Sequence, residues 1–425
     1  MSIVVNDELD LFARPPVQTS IDHTVLKDHY PVSGMIQSGP LDFNISSSAD
    51  EYLDLSDSYL CISAHVSEDD VRAKGENDTF APANLFIHSL FSQVDVSING
   101  KLVSSSTNTY AYRAYIETLL SYGRAYKRSY LTNSLWYKDV AGHFDSLAEN
   151  ENGAAHKRRE FLANGKKVDM MGFIHDDFFR QERLLPPGCD IKIRFVRARD
   201  EFSLVSTKPG YKTLIDSAVL YVKKVKLNPA VALAHATVLK KSNMLFPIRR
   251  VGCKVFSIPA GSLSSYRESV ISGQLPTKIV IGLLKNSAYN GSFNRNAYNF
   301  EHFNLNHLSL HVDGRPDTIP SFSPDYANNL YVRNFHSLFD VTGTINCNDD
   351  IDLNREEYPD GNCLYAFKLS HDTDGAFDLM HNGSVRIDLK FAQALASTVN
   401  VIVYAEYENV VQLDKNRNLI LDYAN

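Results

Sequence analysis

The sequence predicts an all-β protein with a few short helices, divided into two tandem domains of similar fold. Short runs that alternate apolar and polar residues recur along the chain, separated by clusters of Asn, Asp, Gly, Ser and Pro. Tyr and Phe, which suit half-buried pleated surfaces, number 22 and 23 against a single Trp. Elements of the first half recur in the same order in the second, at a spacing close to half of the 425 residues. No stretch alternates strands with long helices, as a parallel α/β fold would.

The first 35 residues are predicted to form an extended N-terminal arm. Two adjacent prolines in "FARPPVQTSI" favour a polyproline-like backbone. The start of the chain is acidic where a secretory signal is basic, and no apolar run approaches the roughly 18 residues of a membrane span. We therefore expect a soluble intracellular protein with no membrane span.

The clearest strand signal is "FSQVDVSINGKLVSSS" at 91–106, where alternation runs up to an Asn-Gly pair and resumes after it. Such a pair between alternating strands predicts a β-hairpin with a type I′ turn at Asn99 and Gly100. The hairpin also marks a repeat, because "SINGK" at 97–101 matches "HVDGR" at 311–315, 214 residues later. At this offset five apolar positions align with five others: Phe86, Phe91, Val94, Val96 and Ile98 with Phe300, Leu305, Leu308, Leu310 and Val312.

Each hairpin is followed by a predicted helix. Apolar residues fall at i, i+4, i+7 and i+8 in both segments: Tyr112, Ile116, Leu119 and Leu120, then Tyr331, Phe335, Leu338 and Phe339. The offset between the helices is 219, which places about five extra residues in the second copy, within "IPSFSPD". Late in each half comes an alternating strand, "DIKIRFVRA" or "SVRIDLKFA", and then a last apolar strand. This shared order indicates a duplicated domain.

The two copies are predicted to be joined within "KLNPAVALAHATVLKKSNMLFPIRR", residues 226–250, through a helix-like segment. The division of the chain is then an arm (1–35), a first domain (36–230), a linker (231–250), a second domain (251–412) and a C-terminal tail (413–425).

Charge argues against electrostatic wrapping of a nucleic acid, since the formal net charge is -7. One basic cluster, "HKRRE" at 156–160, lies within the long insertion 126–167 and is interpreted as a solvated loop at one end of the first domain. A local nucleic-acid contact from this loop is the alternative.

The cysteines are predicted to be reduced thiols. They are odd in number, widely scattered and without a C-x-x-C pair or a zinc-like His spacing. They are Cys61, Cys189, Cys253, Cys347 and Cys363.

Four stretches resemble the major capsid proteins of Polinton (Maverick) elements and adintoviruses: "ELDLFARPPVQTSI", "HSLFSQVDVSINGKLVSSSTNTYAYRAYIETLLSYG", "LLPPGCDIKIRF" and "NVIVYAEYENVVQLDKN". The resemblance implies that each domain is an eight-stranded jelly roll, so that the chain is a double jelly roll. It implies a structural protein that assembles as a pseudo-hexagonal homotrimer and tiles an icosahedral virus shell. The expected partners are other copies, penton and minor capsid proteins, and the expected location is the virion capsid.

Enzymatic sites are weak in this sequence, and we expect no catalytic residue, cofactor or metal. In "EHFNLNHLSLH", His307 and His311 share a strand face and His302 lies on the other, so at most two could bind one metal. "DDIDLNREEYPDG" starts like a calcium loop but has Arg355 where Gly is needed, which favours a solvated turn over a loose cation site. The Ser-rich "AGSLSSYRES" at 260–269 has no base nearby and is interpreted as a polar loop.

A carbohydrate-binding or host-attachment module is the alternative function. Paired β-sandwiches suit such recognition, and tyrosines of "NTYAYRAY" could stack on sugars if they were exposed. The helical pattern, however, directs at least Tyr112 into a core.

Overall fold

The structure, a computed structural model, describes residues 17–32, 34, 39–48, 50–68, 71–72, 79–104, 107–313, 320–369, 377 and 379–423. Residues 1–16 of the predicted arm and Gly314 of the second predicted turn lie outside these residues. Among the described residues, no helix is both long and apolar enough to cross a bilayer.

Strands dominate the first half, with short helices between them. Its strands are β1 (Ile21–His29), β2 (Leu41–Ser46), β3 (Glu51–Glu68), β4 (Val71–Arg72), β5 (Phe80–Pro82), β6 (Phe91–Ile98), β7 (Lys101–Leu102), β8 (Val168–Phe173), β9 (Asp190–Arg197), β10 (Leu204–Ser206) and β11 (Tyr211–Leu227). Its helices are α1 (Phe86–Ser89), α2 (Tyr110–Ser121), α3 (Arg124–Arg128), α4 (Gly153–Glu160) and α5 (Asp200–Ser203), with 3-10 turns at Tyr130–Ser134, Ala163–Gly165 and Phe178–Arg180.

Helix α6 (Pro229–Leu239) follows β11 and precedes the strands of the second half. The strands that follow are β12 (Met244–Ile258), β13 (Ser264–Gln274), β14 (Lys278–Lys285), β15 (Phe300–Glu301), β16 (Leu305–Val312), β17 (Asp360–Gly361), β18 (Leu364–Lys368), β19 (Asn382–Phe391), β20 (Val399–Leu413) and β21 (Leu419–Ile420). The helices are α7 (Asn286–Asn290) and α8 (Val332–Thr342).

Each half packs two antiparallel sheets with the same strand order. In the first half the sheet β1-β11-β3, with β4 and β8 both paired to β3, faces β2-β9-β6-β7. In the second half β12-β20-β14-β18, with β21 paired to β20, faces β13-β19-β16. Phe322 forms an isolated β-bridge with Leu308, on the edge of β16 that faces away from β19. In the first half, β7 occupies the equivalent edge of β6, which faces away from β9. This is the jelly-roll arrangement, in which neighbouring strands within a sheet are distant along the chain. The predicted all-β fold of two tandem jelly rolls with a few short helices is confirmed.

The repeat holds at the level of single residues. Strands β6 and β16 both have eight residues and begin 214 residues apart. Their pairing with β9 and β19 is interrupted by a bulge at the same place, between Phe91 and Gln93 in one and between Leu305 and His307 in the other. A bulge is a specific local device rather than a default of strand pairing. Its recurrence therefore supports the duplication more strongly than the apolar pattern alone.

The opening turn is of the predicted type. Asn99 and Gly100 have φ values of 50° and 78°, as a type I′ turn requires. The Asn99 side-chain oxygen accepts a hydrogen bond from the backbone N–H of Asp190 at 2.8 Å. Asp313, with φ 49°, accepts one from Ser384 N–H at 2.7 Å. A side-chain oxygen at the equivalent position, Asn99 or Asp313, thus connects each turn to the adjacent strand.

The two apolar cores exchange side chains. Helix α2 of the first half contributes Ile116 and Leu119 to the core of the second domain. The start of β12 contributes Phe246 and Ile248 to the core of the first. Because each core is incomplete without the other half, the domains pack as one body.

Two local predictions are wrong. "HKRRE" at 156–160 is not a solvated loop but part of helix α4, and Arg158 within it is fully buried. "AGSLSSYRES" is mostly strand, because β13 begins at Ser264. Its residues are exposed on both faces, so the alternation that marks a half-buried strand is missing.

The predicted arm and linker each contain a strand. β1 lies within residues 1–35 and pairs with β11, and β12 begins at Met244, within the linker range 231–250. These two strands hold equivalent positions at the edges of equivalent sheets.

Candidate functional site at the seam between the domains

The residues that the sequence singled out for chemistry do not converge on one site. His302 stacks on Tyr326 with ring centroids 4.1 Å apart, whereas His311 Nε2 lies 3.2 Å from Asp388. Burial lowers the pKa of His302 and of His307, which favours their neutral forms. Within the described residues, no group of three or more His, Cys, Asp or Glu could hold a metal ion. All five cysteines are free thiols.

The calcium-like loop serves as a clasp between the domains. The Asp350 carboxylate accepts a hydrogen bond from the backbone N–H of Arg124, the first residue of α3, at 2.8 Å. Asp352 lies 3.8 Å from the Lys138 ammonium group. Both carboxylates are therefore paired with groups of the protein itself, as expected for a structural turn.

We call the surface on which α2 and residues 124–180 meet the second domain the seam. Its central element is α2, a helix because its apolar residues recur with helical period. Eleven of its twelve residues, Tyr110 to Leu120, are buried. A helix buried all round needs partners for its polar side chains, and α2 carries Arg113 and Glu117.

Arg113 and Glu117 form the centre of a buried ionic network. Arg113 donates to Glu117 at 2.9 Å and to Asp177 at 2.7 Å. Arg180 lies 3.0 Å from Glu117, and His175 Nδ1 lies 2.6 Å from the same carboxylate. Arg180 Nη2 lies 2.7 Å from the same Nδ1, so this ring nitrogen contacts both a carboxylate and a guanidinium group.

Burial sets the protonation states in this network. It lowers the pKa of His175 to about 4, so the imidazole is neutral at neutral pH. Burial and the adjacent Asp177 carboxylate raise the pKa of Asp176 to about 7. The Arg180 and Arg113 guanidinium groups hold the pKa of Glu117 well below its usual range despite its burial. Burial also raises the pKa of Asp177, against the lowering effect of the Arg113 guanidinium group.

The network reaches into the second domain. The Asp177 carboxylate that holds Arg113 also accepts the backbone N–H of Val251, in β12, at 3.1 Å. One side chain therefore connects α2 to the second jelly roll, and its position depends on both.

A second buried ion pair lies in the insertion 126–167, whose basic cluster was predicted to be a solvated loop. Arg158 of α4 donates to Asp139 at 2.6 Å and to the Pro82 carbonyl at 2.8 Å. It also donates to the Tyr137 carbonyl. Asp139 in turn accepts from Asn296 of the second half at 3.2 Å. The insertion therefore fastens the two domains together instead of decorating one end.

Lys127 makes a third connection. Its ammonium group donates to the Leu119 carbonyl, at the end of α2, and to the Ile351 carbonyl of the second domain, both at 2.7 Å. No carboxylate pairs with it within the described residues, and burial lowers its pKa to about 7. It also lies 5.5 Å from the ring of Trp136, the single tryptophan.

Tyrosines of α2 stack across the seam. Tyr115 and Tyr298 are nearly parallel at 4.2 Å, and Tyr112 and Tyr289 at 5.8 Å. Tyr110, Tyr112 and Tyr115 are all buried. The sugar-stacking role that the sequence allowed for these tyrosines therefore has no exposed ring to perform it.

The C-terminal tail closes over the opening hairpin. Asn99 Nδ2 donates to the Arg417 carbonyl at 2.7 Å, and Lys101 donates to the Leu419 carbonyl at 3.1 Å. The Tyr423 hydroxyl donates to the Val103 carbonyl at 3.3 Å.

A separate apolar surface is exposed on helix α6 and strand β1. Helix α6 has no charged residue and exposes Leu233 (70%) and Val238 (59%). Strand β1 exposes Val25 and Leu26, and the residue before it, Ser20, accepts a hydrogen bond from Asn228 N–H at the start of α6. Within the described residues β1 pairs on one side only, with β11. We call α6 and β1 together the apolar edge; surfaces of this kind mark protein interactions.

Sequence reasoning missed the buried charges of the seam, because a charge run on a helix is usually solvated. Arg113 and Glu117 at i, i+4 do form a pair that sequence could suggest. The Asp139 partner of Arg158 is 19 residues away and carries no such signal.

Comparison with known proteins finds one curated relative and many similar structures. The chain is 25% identical over 406 residues to the uncharacterized protein F54H12.2 of Caenorhabditis elegans, covering 90% of this chain and 93% of that protein. No family model matches.

Similar solved structures include proteins of virus shells. The structure of the Sputnik virophage matches with a TM-score of 0.62 at 11% identity, covering 100% of this chain and 94% of that one. The Faustovirus major capsid protein matches at 0.58 with 10% identity, covering 96% and 92%. The mavirus major capsid protein matches at 0.55 with 9% identity, covering 98% and 93%. Since they cover both domains, these likenesses show that the whole chain has the double jelly-roll fold.

Proposed function

We propose that this chain is the major capsid protein of a virus or virus-like element, which forms a homotrimer and tiles an icosahedral shell. The observation that carries the proposal is the pair of jelly rolls with equal strand order, fixed to each other by a buried seam. Fold likeness to the major capsid proteins of mavirus and Faustovirus supports it. The proposal assigns the chain no catalytic role.

The geometry suits a tile. Three copies of a chain with two similar domains present six similar domains around one axis, which approximates a hexagon. Such a tile keeps its shape only if the two domains keep a fixed angle. Separating the partners of a buried ion pair, such as Arg113 and Asp177, costs free energy. Such pairs therefore resist a change in the angle between the domains.

We further propose that the chain is of the Polinton (Maverick) and adintovirus type. The sequence stretches that resemble that family support this, together with the similarity to a protein of the nematode Caenorhabditis elegans along most of both chains. Penton and other minor capsid proteins are the proposed partners besides other copies, and the virion capsid is the proposed location.

We propose the duplicated units at 36–230 and 251–412, with the tail 413–425 fastened to the first. The edge strands β1 and β12 then extend each unit into the preceding arm and linker.

The proposed trimer contact is the apolar edge. Its leucines and valines lose contact with water only if another surface covers them. Mass measurement of the purified protein by light scattering should give about 143 kDa, three times the 47.7 kDa of one chain. Negative-stain images should show pseudo-hexagonal particles. A well-folded monomer at micromolar concentration would refute the proposal.

A pair of variants locates the contact. Leu233→Glu places a charge on the apolar edge and should give folded monomers, whereas Lys241→Glu, just beyond α6, should leave the trimer intact. If both remain trimers, another surface forms the contact.

The arm is tested by removing residues 1–16. The cut must not extend further, because β1 from Ile21 is part of the first sheet. The truncated trimer should form normally but bind its neighbours in the shell more weakly. Normal shell assembly by the truncated protein would show that the arm is dispensable.

A further inference from the structure

The two halves of the chain cover equivalent sheets unequally. In each domain, the outer face is the side of the sheet containing β3 or β14 that points away from the opposite sheet of the same jelly roll. In the second domain, Cys253, Tyr404 and Val280 form one row of paired residues on this face, and none is more than 5% exposed. Helix α2 lies over them, and its Ile116 and Leu120 line one cavity together with Val280 and Tyr404. A helix from the first domain thus covers the outer face of the second.

The outer face of the first domain is only half covered. It carries two rows of paired residues: Tyr221, Tyr59 and Phe173, then Val219, Cys61 and Met171. Along β3 and β11 these residues alternate with residues of the core, such as Leu60 and Leu220. All six are half-exposed, although Tyr130 stacks on Phe173 at 5.7 Å and covers one end of the first row.

This face is apolar and aromatic, and it continues into the apolar edge. The centroid of the Tyr59 ring lies 5.9 Å from that of Tyr221 and 6.1 Å from that of Phe173. On β1, Leu26 pairs with Lys223, which is two residues beyond Tyr221 and therefore points to the same side of the sheet. Leu26 is 46% exposed. Aromatic residues are enriched in the buried centre of protein interfaces, so this surface is suited to be covered by another.

Helix α8 of the second domain offers a matching element. It follows the second hairpin as α2 follows the first, and it packs on β18 of its own domain. Four of its eleven residues are buried, against eleven of twelve in α2. Val332 is 47% exposed, and Phe335 and Phe339, three and seven residues later on the same side, are half-exposed. Helix α8 therefore presents an apolar stripe that its own domain covers only in part.

In a tile of six similar domains, each domain meets one neighbour within its own chain and one in the next chain. Within the chain, the helix after the hairpin of one domain lies on the outer face of the other. We propose that this relation repeats between chains, so that α8 of one copy packs on the outer face of the first domain of the next copy. The inference rests on the trimer proposed above and names the surface that meets the apolar edge. Because it joins two different surfaces head to tail, the contact can close into a ring of three.

The test is light scattering of the full-length protein and of two variants. Val332→Glu on α8 and Val219→Glu on the outer face each place a charge in the contact. Each should weaken trimer formation about a hundredfold, because the charge would be buried without a partner. Leu263→Glu is the matched control, since Leu263 is 58% exposed but directly precedes β13, in the opposite sheet of the second domain. It should remain a trimer.

The reactivity of Cys61 gives a second measurement, which does not depend on the folding of Val219→Glu. Labelling of Cys61 by a maleimide is followed by mass spectrometry in the unaltered protein and in Val332→Glu. Val332 is exposed, so this variant should keep the circular dichroism spectrum of the unaltered protein. Cys61 should be protected from the label in the trimer and lose that protection in the variant, because only the contact with α8 covers its face.

The oligomeric state of the unaltered protein separates this inference from the proposal on which it rests. If the unaltered protein is a monomer, the trimer and the contact are both wrong. If it is a trimer and Val332→Glu is one too, or if Cys61 reacts equally fast in both proteins, the contact is wrong and the trimer proposal stands. The outer face would then be free to meet a different protein.

Discussion

Replacing Arg158 by methionine tests the buried seam directly. Arg158 is 1% exposed and donates to a carboxylate and to two backbone carbonyls. Breaking a buried ion pair from one side costs about 3–5 kcal/mol, because the remaining charge has lost its partner. Asp139 keeps hydrogen bonds from Asn152 at 3.0 Å and Asn296 at 3.2 Å, which moderates its loss. The two carbonyls left without a donor add to the cost, and we expect a total of about 4 kcal/mol.

The single tryptophan provides the assay. Trp136 is 2% exposed and belongs to the core that α2 shares with the second domain, so its fluorescence reports opening of the seam during a urea titration. With a slope of about 3 kcal/mol per M, a loss of 4 kcal/mol shifts the midpoint by about 1.3 M.

Lys157→Met, on the exposed side of the same helix, is the matched control. It should change the unfolding free energy by no more than about 0.5 kcal/mol. Arg158→Met combined with Asp139→Asn should recover part of the loss, because no unpaired charge remains. Equal midpoints for Arg158→Met and Lys157→Met would refute the reasoning and restore the solvated loop.

Three further predictions concern titration and backbone strain. The pKa of Asp176 is raised from 3.8 to about 7, so its contribution to the unfolding free energy is lost as pH rises between these values. The stability of Asp176→Asn relative to the unaltered protein should therefore increase between about pH 4 and 7, as measured by urea midpoints. Since the pKa of Lys127 is lowered from 10.5 to about 7, the unfolding free energy should rise with pH across that window, and Lys127→Met should flatten the rise; parallel pH profiles would contradict this. Gly361→Ala should lower the melting temperature far more than Gly100→Ala, because an added Cβ meets the Phe144 ring at Gly361 and open space at Gly100, although both have positive φ.

Much of the fold was predictable because the determining signals are local. The Asn99-Gly100 turn depends on two adjacent residues, and helix α2 on apolar residues within nine positions. The duplication added long-range information, because the order of hairpin, helix and strands in one half could be compared with the order in the other. The resemblance to capsid proteins supplied the jelly-roll topology, which alternation alone does not specify.

The parts that were missed depend on partners distant in sequence. Arg158 looks solvated until Asp139 is placed beside it, and the serines of β13 look like a loop because neither face is buried.

The contact between the C-terminal tail and the opening hairpin bears on the order of events during synthesis. Residues 414–423 leave the ribosome after both domains, yet they supply the carbonyls that Asn99 and Lys101 bind in the first domain. The core of the first domain also takes Phe246 and Ile248 from β12, so the first jelly roll is complete only after β12 and the tail have been made. Premature termination or a late frameshift would leave the corner uncovered. The tail therefore covers this corner only in chains that carry both domains.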